Sequence, residues 1–255
     1  MSHYILIHGA WEESRIWDDV SPVLLQNGHA VTAVDMPGHG ANSQPISDVT
    51  LANYVEAVAD AIRQLDHKIV LVGHSMAGAV ISQVAELIPE KIERLIYVAA
   101  FLLEDGGSVL EAMQSDAAGE LLPAIVFAED QSYASVPVEA LRRVGFHDVE
   151  ETVIERILPL MAERQATEPF MAKVVVSDDN FGSVPKTYIR TAIDKVTTPA
   201  LQDRMIANWN VESVLDLESG HFPAFSVPEK LAELMLPSKC CSKQGIESCS
   251  VGTSE

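Results

Sequence analysis

From residue 4 to about residue 101, short apolar runs alternate with segments of helical period. "YILIHGA" (Tyr4 to Ala10) is a brief apolar run ending in glycine, and it reads as a buried strand. "SRIWDDVSPVLLQNGH" follows, with Ile16, Val20, Val23 and Leu24 at helical spacing and Gly28 as the stop. "AVTAVDMPGHG" predicts a second strand breaking into a Gly/Pro loop. "TLANYVEAVADAIRQLD" places Leu51, Tyr54, Val55, Val58 and Ile62 along one helix face, with Thr50 as N-cap. "KIVLVG" reads as a strand, "MAGAVISQVAELIP" as a helix stopped by Pro89, and "IERLIYVAAF" as another strand. Such alternation with short connections is the signature of βαβ units and a parallel sheet covered on both faces.

The rhythm breaks at "LLEDGGS", and residues 102–186 read as a mainly helical insertion. Alternation then resumes with "KTYIRTAID" (strand), "PALQDRMIANW" (helix), "VESVLDLESGH" (strand) and "SVPEKLAELML" (helix). The expected organisation is an α/β core made of residues 1–101 and 187–236, interrupted by the 102–186 insertion. From residue 237 to 255 the chain is rich in Ser, Lys, Gly and Cys without periodicity, so a disordered tail is expected there.

Composition narrows the classes. At 255 residues, 47% hydrophobic and with a mean hydropathy of +0.13, the chain has ample material for one large core. The net charge is −20, and residues 102–186 hold 16 acidic against 6 basic residues, a net of −10. This charge repels phosphate backbones and anionic membranes, so no nucleic-acid or membrane partner is expected. No apolar run approaches the roughly 18 residues of a spanning helix. The N-terminus has neither a basic n-region nor a long h-region, so no signal peptide is expected. All three cysteines, Cys240, Cys241 and Cys249, fall in the tail, where their spacing does not suit zinc. A cysteine-free globular part fits the reducing cytoplasm, and neither a metal nor a cofactor is expected. A homodimer is left open.

One stretch stands out for chemistry. In "VLVGHSMAGAVI" (Val70 to Ile81) a buried strand turns sharply at Gly73-His74-Ser75 and becomes a helix. A serine on such an elbow is lifted clear of the sheet, and the N-terminus of the following helix faces it with partial positive charge. The usual G-x-S-x-G spacing is altered, with Ala77 at the fifth position and glycine delayed to Gly78. The plainer reading is a βα turn carrying an incidental serine.

A base is available in His221, in "DLESGHFP" after the last strand, at the sheet end where α/β proteins place ligands. His74 is the variable position of the elbow, and His8 and His39 read as structural or pocket-lining. For the acid that orients the imidazole, Asp194 follows "YIRTAI" and is preferred, while Asp105, after the strand ending at Phe101, is the rival. Asp203 reads as a solvated helix residue, and Asp216 is too close in sequence to His221 to reach around it. Backbone N–H groups of Ala10, in "HGAW", and of Met76, after Ser75, are the candidate donors to an oxyanion. Trp11, Phe101 and Phe222 would line an apolar pocket, although the same residues would serve equally as core.

Taken together, "LIHGAW", "GHAVTAVDMPGHGANS", "VLVGHSMAG" and "SGHFPAFSVPEKLAELM" resemble the α/β-hydrolase subgroup of plant methylesterases, hydroxynitrile lyases and bacterial carboxylesterases of the pyrethroid-hydrolase type. The resemblance spans residues 4 to about 236 and is weakest in the insertion. It implies a mostly parallel six-stranded sheet with helices on both faces, and a helical cap at 102–186. It also implies Ser75 as nucleophile, His221 as base, Asp194 as acid, and Ala10 and Met76 as oxyanion donors; the order Ser, Asp, His is that of the family. The lyases carry a lysine after the catalytic histidine, whereas here Phe222 follows His221, which favours ester hydrolysis. A dehalogenase or epoxide hydrolase of this fold would place Asp at the elbow, which Ser75 excludes. The expected activity is that of a serine carboxylesterase acting on neutral, hydrophobic carboxylic esters, including bulky aryl ones. The alternatives are a hydroxynitrile lyase-like enzyme and a hydrolase-fold ligand receptor with slow turnover.

Overall fold

The protein is described from a computed structural model, which describes residues 1–237. Six parallel strands form the main sheet: β1 (His3–Ile7), β2 (Ala30–Val34), β3 (Ile69–His74), β4 (Ile92–Val98), β8 (Lys186–Thr191) and β9 (Ser213–Leu217). Their order across the sheet is β2-β1-β3-β4-β8-β9, with every pairing parallel. β3 is therefore central, and all six of its residues are buried. Near-continuous apolar runs such as "IVLV" are what a strand covered on both faces requires.

Period-two alternation splits the core in two. Ile5, Ile7, Leu71, Leu95 and Tyr97 point to one face, where they pack with Tyr54, Val58 and Ile62 of α2 (Leu51–Arg63), Val80 and Val84 of α3 (Ala77–Leu87), and Leu201 and Met205 of α8 (Pro199–Ala207). Tyr4, Leu6, Val70, Val72, Ile96 and Val98 point to the other. There they meet Leu24 of α1 (Ser21–Gln26) and Leu231, Ala232 and Met235 of α10 (Pro228–Met235), which follows the short α9 (Pro223–Ser226). Thr50 caps α2 as expected: its hydroxyl accepts from Asn53 N–H at 3.2 Å, and the Asn53 side chain accepts from Thr50 N–H at 3.0 Å.

Two expectations need correction. The stretch from Ser14 to Gly28 is not one helix but a 3₁₀ turn, Ser14–Trp17, followed by α1, which restarts around Pro22. The 102–186 insertion is not mainly helical. Its helices α4 (Val109–Ser115) and α6 (Glu151–Ile157) reach only seven residues; α5 (Val138–Ala140) runs into a π-helical turn at Leu141–Gly145, and α7 (Glu168–Met171) has four residues. A small antiparallel sheet joins β5 (Val126–Phe127), β6 (Tyr133–Ser135) and β7 (Gln165–Ala166), in the order β5-β6-β7. Pro123, Pro137, Pro159 and Pro169 each stand at the start of a short helical segment or 3₁₀ turn, where the missing N–H has no helical partner to lose. β8 already includes Lys186, the last residue assigned to the insertion. The tail expectation and the three cysteines lie outside the described residues. Among the described residues no helix is long and apolar enough to cross a membrane, and no cluster of His, Cys, Asp and Glu is placed to hold a metal ion.

Candidate active site

Ser75 sits between the end of β3 and the start of α3, with φ of +53°, the left-handed conformation of a sharp elbow. Its backbone is tied to the chain leaving β4: Ser75 N–H donates to Val98 O at 3.2 Å, and Ser75 O accepts from Phe101 N–H at 3.0 Å. The close approach falls at Gly78, where a Cβ would stand 2.5 Å from the Phe101 carbonyl oxygen. The elbow's second glycine is thus needed one position later than the usual spacing, and Ala77 is simply buried.

His221 arrives on the loop after β9, and its Nε2 stands 2.9 Å from Ser75 Oγ. Its Nδ1 lies 2.8 Å from Asp194 Oδ2. A carboxylate accepts, so Nδ1 carries the proton and Nε2 is left to accept from the serine. Asp194 is itself held: Oδ1 accepts from Val196 N–H (2.7 Å) and Thr197 N–H (3.0 Å), and Oδ2 also accepts from the Thr191 hydroxyl at 2.9 Å. The rival Asp105 is exposed and accepts from Val176 N–H, away from the imidazole. Asp203 and Asp216 both pair with Arg190 on the outside of the sheet.

Ala10 follows β1, and Met76 opens the first turn of α3. Among the described residues neither backbone N–H has an acceptor within the protein. Beside them lies a narrow, largely enclosed cavity of about 20 Å³. Trp11, Phe101 and Phe222 all line it, with Met113, Leu121, Leu141, Met161 and Phe170 from the insertion. The lining holds no Lys or Arg; its polar groups are Ser75, His221 and Glu12. Phe222 packs on Phe146 (4.7 Å between ring centroids) and edge-on to His221 (5.1 Å). Phe225 stacks behind Phe222 and does not reach the cavity.

Three supporting residues were not visible in the chain. His74 Nε2 donates to the His221 carbonyl at 2.7 Å, and its Nδ1 lies 3.0 Å from the Glu12 carboxylate, which also accepts from Gly9 N–H. Burial alone would lower the His74 pKa, but the Glu12 carboxylate and the His221 carbonyl reverse this and raise it above 6.5. Burial likewise opposes ionisation of Glu12, and His74 overcomes it, holding the carboxyl below 4.5. Both ring nitrogens of His74 thus face acceptors, and the pair is buried directly beneath His221. Asp148, from the insertion, accepts from Gly220 N–H at 2.6 Å and from the Ser219 hydroxyl at 3.2 Å, fixing the loop that delivers His221. The only hint in the sequence was position, since Glu12 follows the "HGAW" stretch and His74 lies within the elbow.

His8 is structural: Nδ1 donates to Gly9 O at 2.8 Å and Nε2 accepts from Met36 N–H at 3.1 Å. Burial pushes His39 down to about 3, so it is neutral beside the Tyr54 hydroxyl.

Known proteins share this arrangement of chain. The alpha/beta hydrolase family profile matches residues 4–234. Methylesterase 1 of Arabidopsis thaliana is 30% identical, over 92% of this chain and 94% of that protein. A longer chloroplastic relative from the same plant, named for methylesterase 11, is 31% identical; the chain covers 63% of its length. The crystal structure of a pyrethroid hydrolase from Sphingobium faniae JZ-2 superposes with a TM-score of 0.81 at 28% identity, covering 92% of this chain and 95% of that one. The chain belongs to the alpha/beta hydrolase family, in the subgroup of the methylesterases and the pyrethroid hydrolase, and is a hydrolase of the esterase type.

Proposed function

We propose that the protein is a serine carboxylesterase that hydrolyses small neutral, hydrophobic esters through an acyl-enzyme on Ser75. The observation that carries this reading is the hydrogen-bonded series Ser75 Oγ, His221, Asp194, at 2.9 and 2.8 Å, opening on an apolar cavity beside two unengaged N–H groups. His221 Nε2 takes the serine proton as Oγ attacks the ester carbonyl. The N–H groups of Ala10 and Met76 receive the oxyanion, each worth about 3 kcal/mol in the transition state. The imidazolium then protonates the leaving alcohol, and in the second half His221 activates water against the acyl-serine. Asp194 keeps the imidazole in the required tautomer.

Relatives named for methyl esters and for pyrethroids support an ester substrate, and an apolar lining supports a neutral one. Burial of substrate surface there contributes about 25 cal/mol per Å². A lyase would need a cation near the leaving group, and Phe222 stands where that lysine would be. Many turnovers of a neutral p-nitrophenyl ester, lost in Ser75→Ala with the fold retained, is the expected result. A single sub-stoichiometric release would favour a slow ligand receptor instead.

A further inference from the structure

Trp11 follows Ala10, and all three of its polar groups are taken by the cap. Its N–H donates to Gln165 Oε1 at 3.1 Å, its carbonyl accepts from Ala162 N–H at 2.8 Å, and its indole N–H donates to Ala134 O at 3.0 Å. Gln165 is fully buried in β7, 154 positions away in the chain. Its amide cannot be turned over: Nε2 donates to the Tyr54 hydroxyl at 3.0 Å and to Ala166 O at 3.1 Å, which leaves Oε1 facing Trp11. Trp11 has φ of +59°, a left-handed conformation that a bulky aromatic residue does not hold unaided. The surroundings have to hold it there, and these three hydrogen bonds and the packing on Phe170 are the contacts that do so.

Rotation of Trp11 out of that conformation would turn the Ala10–Trp11 peptide, made of Ala10 C=O and Trp11 N–H, and so shift the Ala10 Cα through which the neighbouring Gly9–Ala10 peptide presents the Ala10 N–H. We propose that Gln165 is a positioning residue for the oxyanion hole: the cap, through Gln165, locks Trp11 and thereby aims the Ala10 N–H at the reacting carbonyl. This rests on the reading of Ala10 as an oxyanion donor in an esterase. The cap then has two tasks, to wall the cavity and to complete the catalytic geometry, so that opening the cap would also relax the hole.

Gln165→Leu removes the acceptor for Trp11 N–H. Because misplacing a catalytic group by about 1 Å can cost a hundredfold, kcat should fall by about 10- to 100-fold with KM changed by less than about threefold. The affinity of an alkyl trifluoromethyl ketone, whose adduct with Ser75 places an oxyanion in the hole, should fall by the same factor as kcat/KM. Gln165→Glu, kept as the neutral acid by burial, retains an acceptor for Trp11 N–H and a donor toward Ala166 O, and should restore kcat to within about threefold of wild type. Active sites are counted by phosphonate titration, so that loss of folded protein does not mimic loss of kcat. Should the leucine variant not fold, Tyr54→Phe removes one of the two acceptors that hold Gln165 Nε2, leaving Ala166 O as the other, and should cost about threefold in kcat. Wild-type kcat and ketone affinity in the folded variants would overturn the proposal while leaving the esterase reading intact. Absence of turnover and of phosphonate labelling in the wild type would remove the esterase reading, and this proposal with it.

Discussion

At Asp194 both carboxylate oxygens are engaged, one by backbone N–H groups and the other by His221 and Thr191, so the group is held in place to orient the imidazole. Asp194→Asn should therefore lower kcat by about 10⁴-fold through the wrong tautomer, whereas Asp105→Asn should leave kcat within about twofold. The opposite ranking in steady-state kinetics would move the acid to Asp105. The Glu12–His74 pair carries a different signature. His74 is raised above 6.5, so its contribution to stability is fully present below that pH and is lost as pH rises through the folded value. Glu12 is depressed below 4.5, so its contribution is present above that value and is lost as pH falls further. In Glu12→Gln the buried His74 loses the carboxylate that raised it. The stability of wild type relative to Glu12→Gln should thus be greatest between pH 4.5 and 6.5 and shrink on either side, as urea melts would show. A difference independent of pH would mean that the pair is uncharged. Ser75, His221 and Asp194 were legible in the chain because a motif or a strand end marks each one. Glu12 and His74 meet across 62 positions, and no local spacing announces such a contact.

Among the elements, the elbow has the least tolerance. Gly78→Ala would force a methyl to 2.5 Å from the Phe101 carbonyl oxygen, pressing α3 away from the chain that leaves β4. We expect a loss of about 1–3 kcal/mol in urea unfolding, with activity reduced as the Ser75 elbow shifts. Unchanged stability would show that α3 can move freely at that point. Elements with a long period were readable: α2 displayed its buried stripe and its cap in sequence, and β3 its unbroken apolar run. The small sheet was not. Strands of two or three residues carry no alternation to detect, and β6 pairs with β7 only through an approach that the intervening residues do not encode locally. The helical expectation for the insertion failed for the same reason, since its acidic and apolar residues mix without the length that a period needs.

Over the whole molecule, charge and cavity agree. The net charge of −20, the acidic insertion and Glu12 in a lining without Lys or Arg all act against an anionic substrate, while a neutral one enters without that penalty. Matched neutral and carboxylate-bearing esters should differ in kcat/KM in favour of the neutral one, and the gap should narrow as salt screens the field. A carboxylate ester winning at low salt would contradict this. The parallel architecture was legible because alternation recurs on both sides of the insertion, and so were Trp11, Phe101 and Phe222 in the cavity wall, whereas the six lining residues that the insertion supplies were not. The claim on which all of this turns is an acyl group on Ser75. Acid-quenching the enzyme during turnover of a neutral p-nitrophenyl ester, followed by mass mapping, should find one acyl group on the peptide containing Ser75 and none in Ser75→Ala. Turnover without that adduct, or with the acyl group on another residue, would contradict the account.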